Sequence, residues 1–293
     1  MNAIELEYHC FGPWILEITD ENPMPPLFVP YYKETNNYLM LIKVPMNIDR
    51  SQAKPGMDLY RYVIGMYDNY FYLLERNEKE VSETKFSYSE IEGIENFSDL
   101  LIGKLTIYLK YRKVTINYSS VSGDIITKLI GIIRDRYSER KYNKVLLDNN
   151  QSQGIDRVYI NLLDSMKSCG DLLNISAVQP SIKVKALNQS ILKKLLCHIN
   201  QQKLLSVIYL SNDKELLVLS RGKPFRYRSD SIISYNLIYI PIEKIQGIEL
   251  VRDEAYYDLQ KFYIKINDYA FVFYIDINNK LFQDYYKNLI GII

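Results

Sequence analysis

The chain has 293 residues, with 36 Lys or Arg against 35 Asp or Glu and a formal net charge of +1. Its 47% hydrophobic and 24% charged residues are the balance of a chain that buries a core, and they exclude a disordered one. Near-neutral charge argues against a protein that coats nucleic acid through bulk electrostatics, so any anion site must be local.

The N-terminus, Met1-Asn2-Ala3-Ile4-Glu5-Leu6-Glu7, carries acid where a secretory signal carries positive charge. Apolar runs such as Tyr38 to Ile42 and Leu204 to Leu210 fall far short of the roughly 20 residues of a bilayer span. Three scattered cysteines, Cys10, Cys169 and Cys197, suggest neither a disulfide framework nor a thiolate metal site, and a reduced cytoplasmic setting is expected. Residues 1–58 hold a Pro-rich stretch, Pro23 to Pro30, and an apolar segment, Tyr38 to Val44. They read as extra strands that end at the Lys54-Pro55-Gly56 turn.

A hairpin follows, Tyr60 to Tyr67 and Tyr70 to Glu75 around Asp68-Asn69, then a short apolar segment at Ile91-Glu92-Gly93-Ile94. A second hairpin pairs Lys104 to Lys110 with Lys113 to Tyr118. Ile125, Ile126, Leu129, Ile130 and Ile133 then fall on one face of a helix. Ser138 to Gly154 is polar and basic, as a surface linker would be. Two helical patterns follow it, Val158 to Met166 and Ile191 to Ile199. The earlier order then recurs: a hairpin, Leu205 to Leu210 and Glu215 to Ser220; Ile245-Gln246-Gly247-Ile248; a hairpin, Lys261 to Ile266 and Tyr269 to Ile275; and a helical face of Leu281, Phe282, Tyr285, Tyr286 and Leu289.

Glu90-Ile91-Glu92-Gly93-Ile94-Glu95 and Lys244-Ile245-Gln246-Gly247-Ile248-Glu249 anchor this internal repeat. The sequence thus predicts an α+β, mainly β chain. It divides into an N-terminal module over 1–137, a linker over 138–154 and a C-terminal module over 155–293. The second copy, with Ile240-Pro241-Ile242 ahead of its Ile-Gln-Gly-Ile segment and its closing helix, resembles bacterial pleckstrin-homology-like and GRAM-like domains. The first has Tyr88-Ser89-Glu90-Ile91 in place of the proline segment. The resemblance implies two bent antiparallel sheets, each closed by a C-terminal amphipathic helix, and it implies binding of headgroups, peptides or partner domains rather than chemistry.

The most specific polar cluster is Arg221-Gly222-Lys223-Pro224-Phe225-Arg226-Tyr227-Arg228. There Lys223, Arg226 and Arg228 alternate with aromatics and form a candidate anion site. A second basic run, Arg134, Arg136, Arg140, Lys141 and Lys144, suits a solvated helix end. Only two histidines occur. His198 adjoins Cys197 in a helical pattern, so the two point to different faces and cannot form one nucleophile–base pair. No glycine-rich phosphate loop or metal-ligand spacing is present, so no catalytic residue, metal or cofactor is expected. The leading expectation is a non-catalytic binding or assembly protein that engages a protein partner or itself. The alternatives are a peripheral protein that reads an anionic membrane surface through Lys223, Arg226 and Arg228, and a soluble enzyme of unrecognised kind.

Overall fold

A computed structural model describes residues 3–34, 37–78, 80–138, 157–168, 174–184, 202–227 and 233–293. The chain is α+β and mainly β, made of open antiparallel sheets. The expected helix over Ile191 to Ile199 and nearly all of the expected linker lie outside the described residues. Two compact units form: Met1–Ile91 with Leu100–Ile107 and Lys113–Glu139, and Glu92–Asp99 with Tyr108–Arg112 and Arg140–Ile293.

The first unit opens with helix α1 (Ala3–Cys10), where the sequence pattern suggests strands. Its main sheet has the order β1 (Leu16–Glu17), β2 (Met40–Pro45), β3 (Tyr60–Met66), β4 (Tyr70–Asn77), β5 (Glu80–Ser87). Strands β2 to β4 read as near-continuous apolar runs because both of their faces are buried. One face holds Leu41, Val63, Tyr72 and Leu74, covered by Phe11, Met24, Leu27, Phe28 and Tyr32 of the Pro-rich leader. Strand β5 is the sheet's edge and exposes the charged side chains of Glu80, Glu83 and Lys85, which mark an edge that discourages further pairing.

Two charges are sealed beneath that leader. Lys43 is 2% exposed; its Nζ donates to the Pro23 carbonyl at 2.9 Å and lies 4.7 Å from the Tyr60 ring centroid. Glu7 accepts the Leu59 N–H at 2.9 Å. Burial raises the Glu7 carboxyl and lowers the Lys43 ammonium from their ordinary values, and each charge opposes the shift of the other. Strand β6 (Ile91–Asp99) follows a 3-10 turn, Tyr88–Glu90, that a Ser87–Glu90 capping box fixes. Strands β7 (Ile102–Leu109) and β8 (Lys113–Ser119) are neighbours, and helix α2 (Gly123–Arg134) buries Ile126, Leu129, Ile130 and Ile133.

Helix α3 (Arg157–Ser168) belongs to the second unit. It buries Tyr159, whose hydroxyl donates to the Ser206 carbonyl at 2.8 Å. The strands that follow are β9 (Asn174–Gln179), β10 (Ile182–Lys183), β11 (Lys203–Leu204), β12 (Val207–Ser211), β13 (Glu215–Ser220), β14 (Phe225–Arg226) and β15 (Tyr235–Pro241). A 3-10 turn, Ile242–Lys244, leads to β16 (Gly247–Arg252), β17 (Leu259–Ile266), β18 (Tyr269–Asp276) and helix α4 (Lys280–Ile290). Antiparallel neighbours run β9-β12-β13-β15, and β15 also pairs with β6, Tyr239 opposite Ile94 and Tyr235 opposite Ser98. Strands β16, β17 and β18 form a meander, while β10, β11 and β14 form a small separate sheet.

Leu216, Val218 and Ile238 of the first group pack against Phe262, Ile264 and Phe273 of the meander and against Phe282, Tyr285 and Leu289 of α4. Each such side chain, fully buried, contributes about 1.5–3 kcal/mol. A polar latch fixes the start of α4. Asn279 caps it by accepting the Phe282 N–H at 3.1 Å, and the Asn279 amide donates to the Val178 carbonyl at 2.9 Å and to Gln179 Oε1 at 3.1 Å. The same Gln179 oxygen accepts the Asp276 N–H at 2.9 Å, and Gln179 is wholly buried. No helix among the described residues is long and apolar enough to cross a membrane.

Candidate functional site

The loop from β13 to β14 carries the cations that the sequence singles out. Gly222 is needed there, because a Cβ would fall 2.5 Å from the Phe97 ring and 2.6 Å from Ser234 Oγ. The Leu205 N–H then fixes the loop by donating to the Pro224 carbonyl at 2.8 Å. Next, β14 alternates. Phe225 turns inward and stacks on Tyr256 with ring centroids 4.7 Å apart, and Arg226 turns outward and is exposed. Lys223 is also exposed. Arg228 lies outside the described residues, so of the three expected cations the structure places Lys223 and Arg226.

Arg226 has company that the sequence does not announce. In the small sheet it sits directly opposite Lys203, and Lys203 sits directly opposite Lys183. Residues paired across strands share a face, so three cations stand in a row, one per strand, roughly 5 Å from neighbour to neighbour. All three are exposed. The opposite face carries Ile182, Leu204 and Phe225 in the same register, with Leu204 wholly buried. The sheet is therefore amphipathic, its apolar row anchored and its cationic row in water. Like charges in direct opposition are unfavourable. Among the described residues no ion pair involves Lys183, Lys203, Lys223 or Arg226.

Lys223 also lines a pocket of about 370 Å³ in the same unit, walled by Leu204 to Val207, by Ser220 to Pro224 and by Ala270 to Tyr274. Polar groups converge in it. The Tyr108 hydroxyl donates to Glu95 Oε2 at 2.5 Å, and Asn236 Nδ2 donates to Glu95 Oε1 at 2.7 Å. Burial, reinforced by the Glu95 carboxylate, pushes the Tyr108 phenol far above its ordinary value, so it remains a donor. Asn236 Oδ1 is buried and has no hydrogen-bond partner among the described residues. Arg221 lines the pocket too, its guanidinium 5.3 Å from the Tyr159 ring centroid.

The remaining candidates do not converge. Arg136 returns a hydrogen bond to the Ile132 carbonyl, as cations at a helix end do, and Arg140, Lys141 and Lys144 lie outside the described residues. His9 packs edge-on against Tyr8, while His198, Cys169 and Cys197 lie outside the described residues. Among the described residues no group of three His, Cys, Asp or Glu side chains could hold a metal ion. The chain matches no protein-family model and no curated protein.

Proposed function

We propose that this chain is a non-catalytic binding protein made of two pleckstrin-homology-like modules, and that the second binds a multivalent anion at the row Lys183, Lys203 and Arg226. The repeat is supported by element order. Strands β2 to β5 and strands β9, β12, β13 and β15 are each followed by a 3-10 turn, a strand containing or opening on glycine, a hairpin and an amphipathic helix.

The observation that carries the anion reading is the register of the small sheet. Three cations are held in direct opposition, with no acid paired to any of them among the described residues. A phosphate group seated between two neighbours turns that repulsion into two charge-assisted contacts. Lys223 is exposed on the loop that leads into β14, three residues before Arg226. The geometry favours phosphate-type chemistry, which a lipid headgroup and a free polyphosphate both offer.

Co-sedimentation of the full chain with vesicles tests this reading. The probes are neutral phosphatidylcholine alone and the same lipid with phosphatidylserine or a phosphoinositide, each at two salt concentrations, with soluble inositol hexakisphosphate as competitor. Binding to anionic vesicles alone, weakened by salt and lost in the K183E/K203E/R226E variant, is the expected result. Binding of the soluble polyphosphate without vesicle binding would assign the row to a free ligand. Absence of both would remove the anion site.

A further inference from the structure

Strand β18 ends its meander, and among the described residues only one of its sides pairs, with β17. Which of its peptide groups face the open side follows from both of its ends. The two-residue turn Asn267-Asp268, with Asn267 at φ 42°, makes Ile266 and Tyr269 the hydrogen-bonded pair that closes the hairpin, and ladder bonds recur at every second residue from there. At the far end the Asp276 N–H goes to Gln179 Oε1 and not to β17. Both ends agree that Ala270, Val272 and Tyr274 aim their N–H and C=O groups outward, over about 13 Å of strand. Among the described residues no hydrogen bond outside the meander involves these groups.

That open edge is a wall of the pocket, since Ala270 to Tyr274 all line it. Side chains alternate along it: Phe271 and Phe273 turn into the core, and Val272 is exposed. Near Phe271 the pocket offers acceptors. The Tyr108 ring meets Phe271 edge-on at 5.1 Å and its hydroxyl holds Glu95, whose carboxylate has about two of its four acceptor sites taken. No cation lies within ion-pair distance of Glu95 among the described residues, and Asn236 Oδ1 beside it has no partner. Of the two cations in the lining, Arg221 packs on Tyr159 and Lys223 is exposed. The lining also holds aliphatic Val207 and Ile238, which belong to the same apolar cluster as Phe273.

We infer that this pocket takes an extended peptide segment that adds to β18 as a further strand and lays a guanidinium or ammonium side chain against Glu95 and Asn236. In an added strand, the residues opposite Phe271 and Phe273 share the inward face. The first meets the acceptors and the second meets Val207 and Ile238, so the segment carries a basic and an aliphatic side chain two positions apart. Backbone pairing supplies affinity and the two inward side chains supply selection. The site is separate from the cation row, and neither depends on the other.

Fluorescence anisotropy of the full chain with labelled Thr-Arg-Thr-Val-Thr and Thr-Val-Thr-Arg-Thr tests it, the two orders covering both strand directions. Citrulline in place of arginine keeps the shape and removes the charge. The arginine peptide in one order is expected to bind about tenfold tighter than its citrulline form. Glu95→Gln should close that gap. Val272→Pro should abolish binding of both forms, because it removes an outward N–H from an edge strand that tolerates proline. Hydrogen exchange provides a readout free of folding effects: saturating peptide should slow the amides of Ala270, Val272 and Tyr274 in the unaltered chain. Equal binding of arginine and citrulline forms, or unchanged exchange at those amides, would overturn the inference.

Discussion

The two units handle a lysine on a sheet in opposite ways. In the first, Lys43 is enclosed by the Pro-rich leader, spends its charge on the Pro23 carbonyl and the Tyr60 ring, and has Glu7 within electrostatic reach. In the second, Lys203 stands in water between two further cations, with no acid paired to it among the described residues. A buried charge must be matched locally, whereas an exposed one can be left unmatched at little cost. The first arrangement closes a sheet face, and the second leaves something for another molecule to neutralise.

The sharpest way to break this contrast is Lys43→Ala. It leaves Glu7 as a buried acid without its countercharge and the Pro23 carbonyl without its donor, and should lower stability by about 3 kcal/mol, read from urea unfolding. A loss under 1 kcal/mol would mean that the leader seals by apolar packing alone. Next in size is Gln179→Ala, which strands the Asp276 N–H and removes one of the two hydrogen bonds that Asn279 donates to β9. About 2 kcal/mol is expected from the same measurement, since this latch is made of neutral hydrogen bonds and its loss leaves a donor unpaired. The smallest effect has the opposite sign. Lys203→Glu turns two repulsions into two attractions and should raise stability by a few tenths of a kcal/mol while it weakens vesicle binding. A variant that gains neither stability nor a binding defect would show that the three side chains splay too far apart to act together.

Much of the strand order could be read from the chain. The Tyr60 to Glu75 hairpin is legible because a polar turn separates two dense apolar runs, and α4 is legible because five apolar residues repeat at helical spacing. Strand β5 is not, since an exposed edge carries Glu80, Glu83 and Lys85 where a half-buried strand would alternate. Helix α1 escaped because eight residues with only a weakly sided apolar pattern are too short a signal. Of the candidate site, Lys223 and Arg226 stand out as cations within one loop. Lys183 and Lys203 belong to two-residue strands, which have no period to detect, and only pairing brings them beside Arg226. Glu95 and Asn236 are equally silent, because a hydrogen bond between residues on separate strands leaves no local mark.

The pairing of β6 with β15 has a consequence for how the second unit comes into being. Strand β6 is made early in synthesis and its partner much later, so β6 must wait, with its peptide groups unsatisfied by β15, while more than a hundred residues emerge. A fragment that begins at residue 155 would carry β15 with a bare outer edge at Tyr235 to Tyr239 and would be prone to recruit strands from its neighbours in solution. The second unit is thus heritable only as part of the whole chain, and a gene rearrangement that moved its last 139 residues elsewhere would carry away an unfinished sheet.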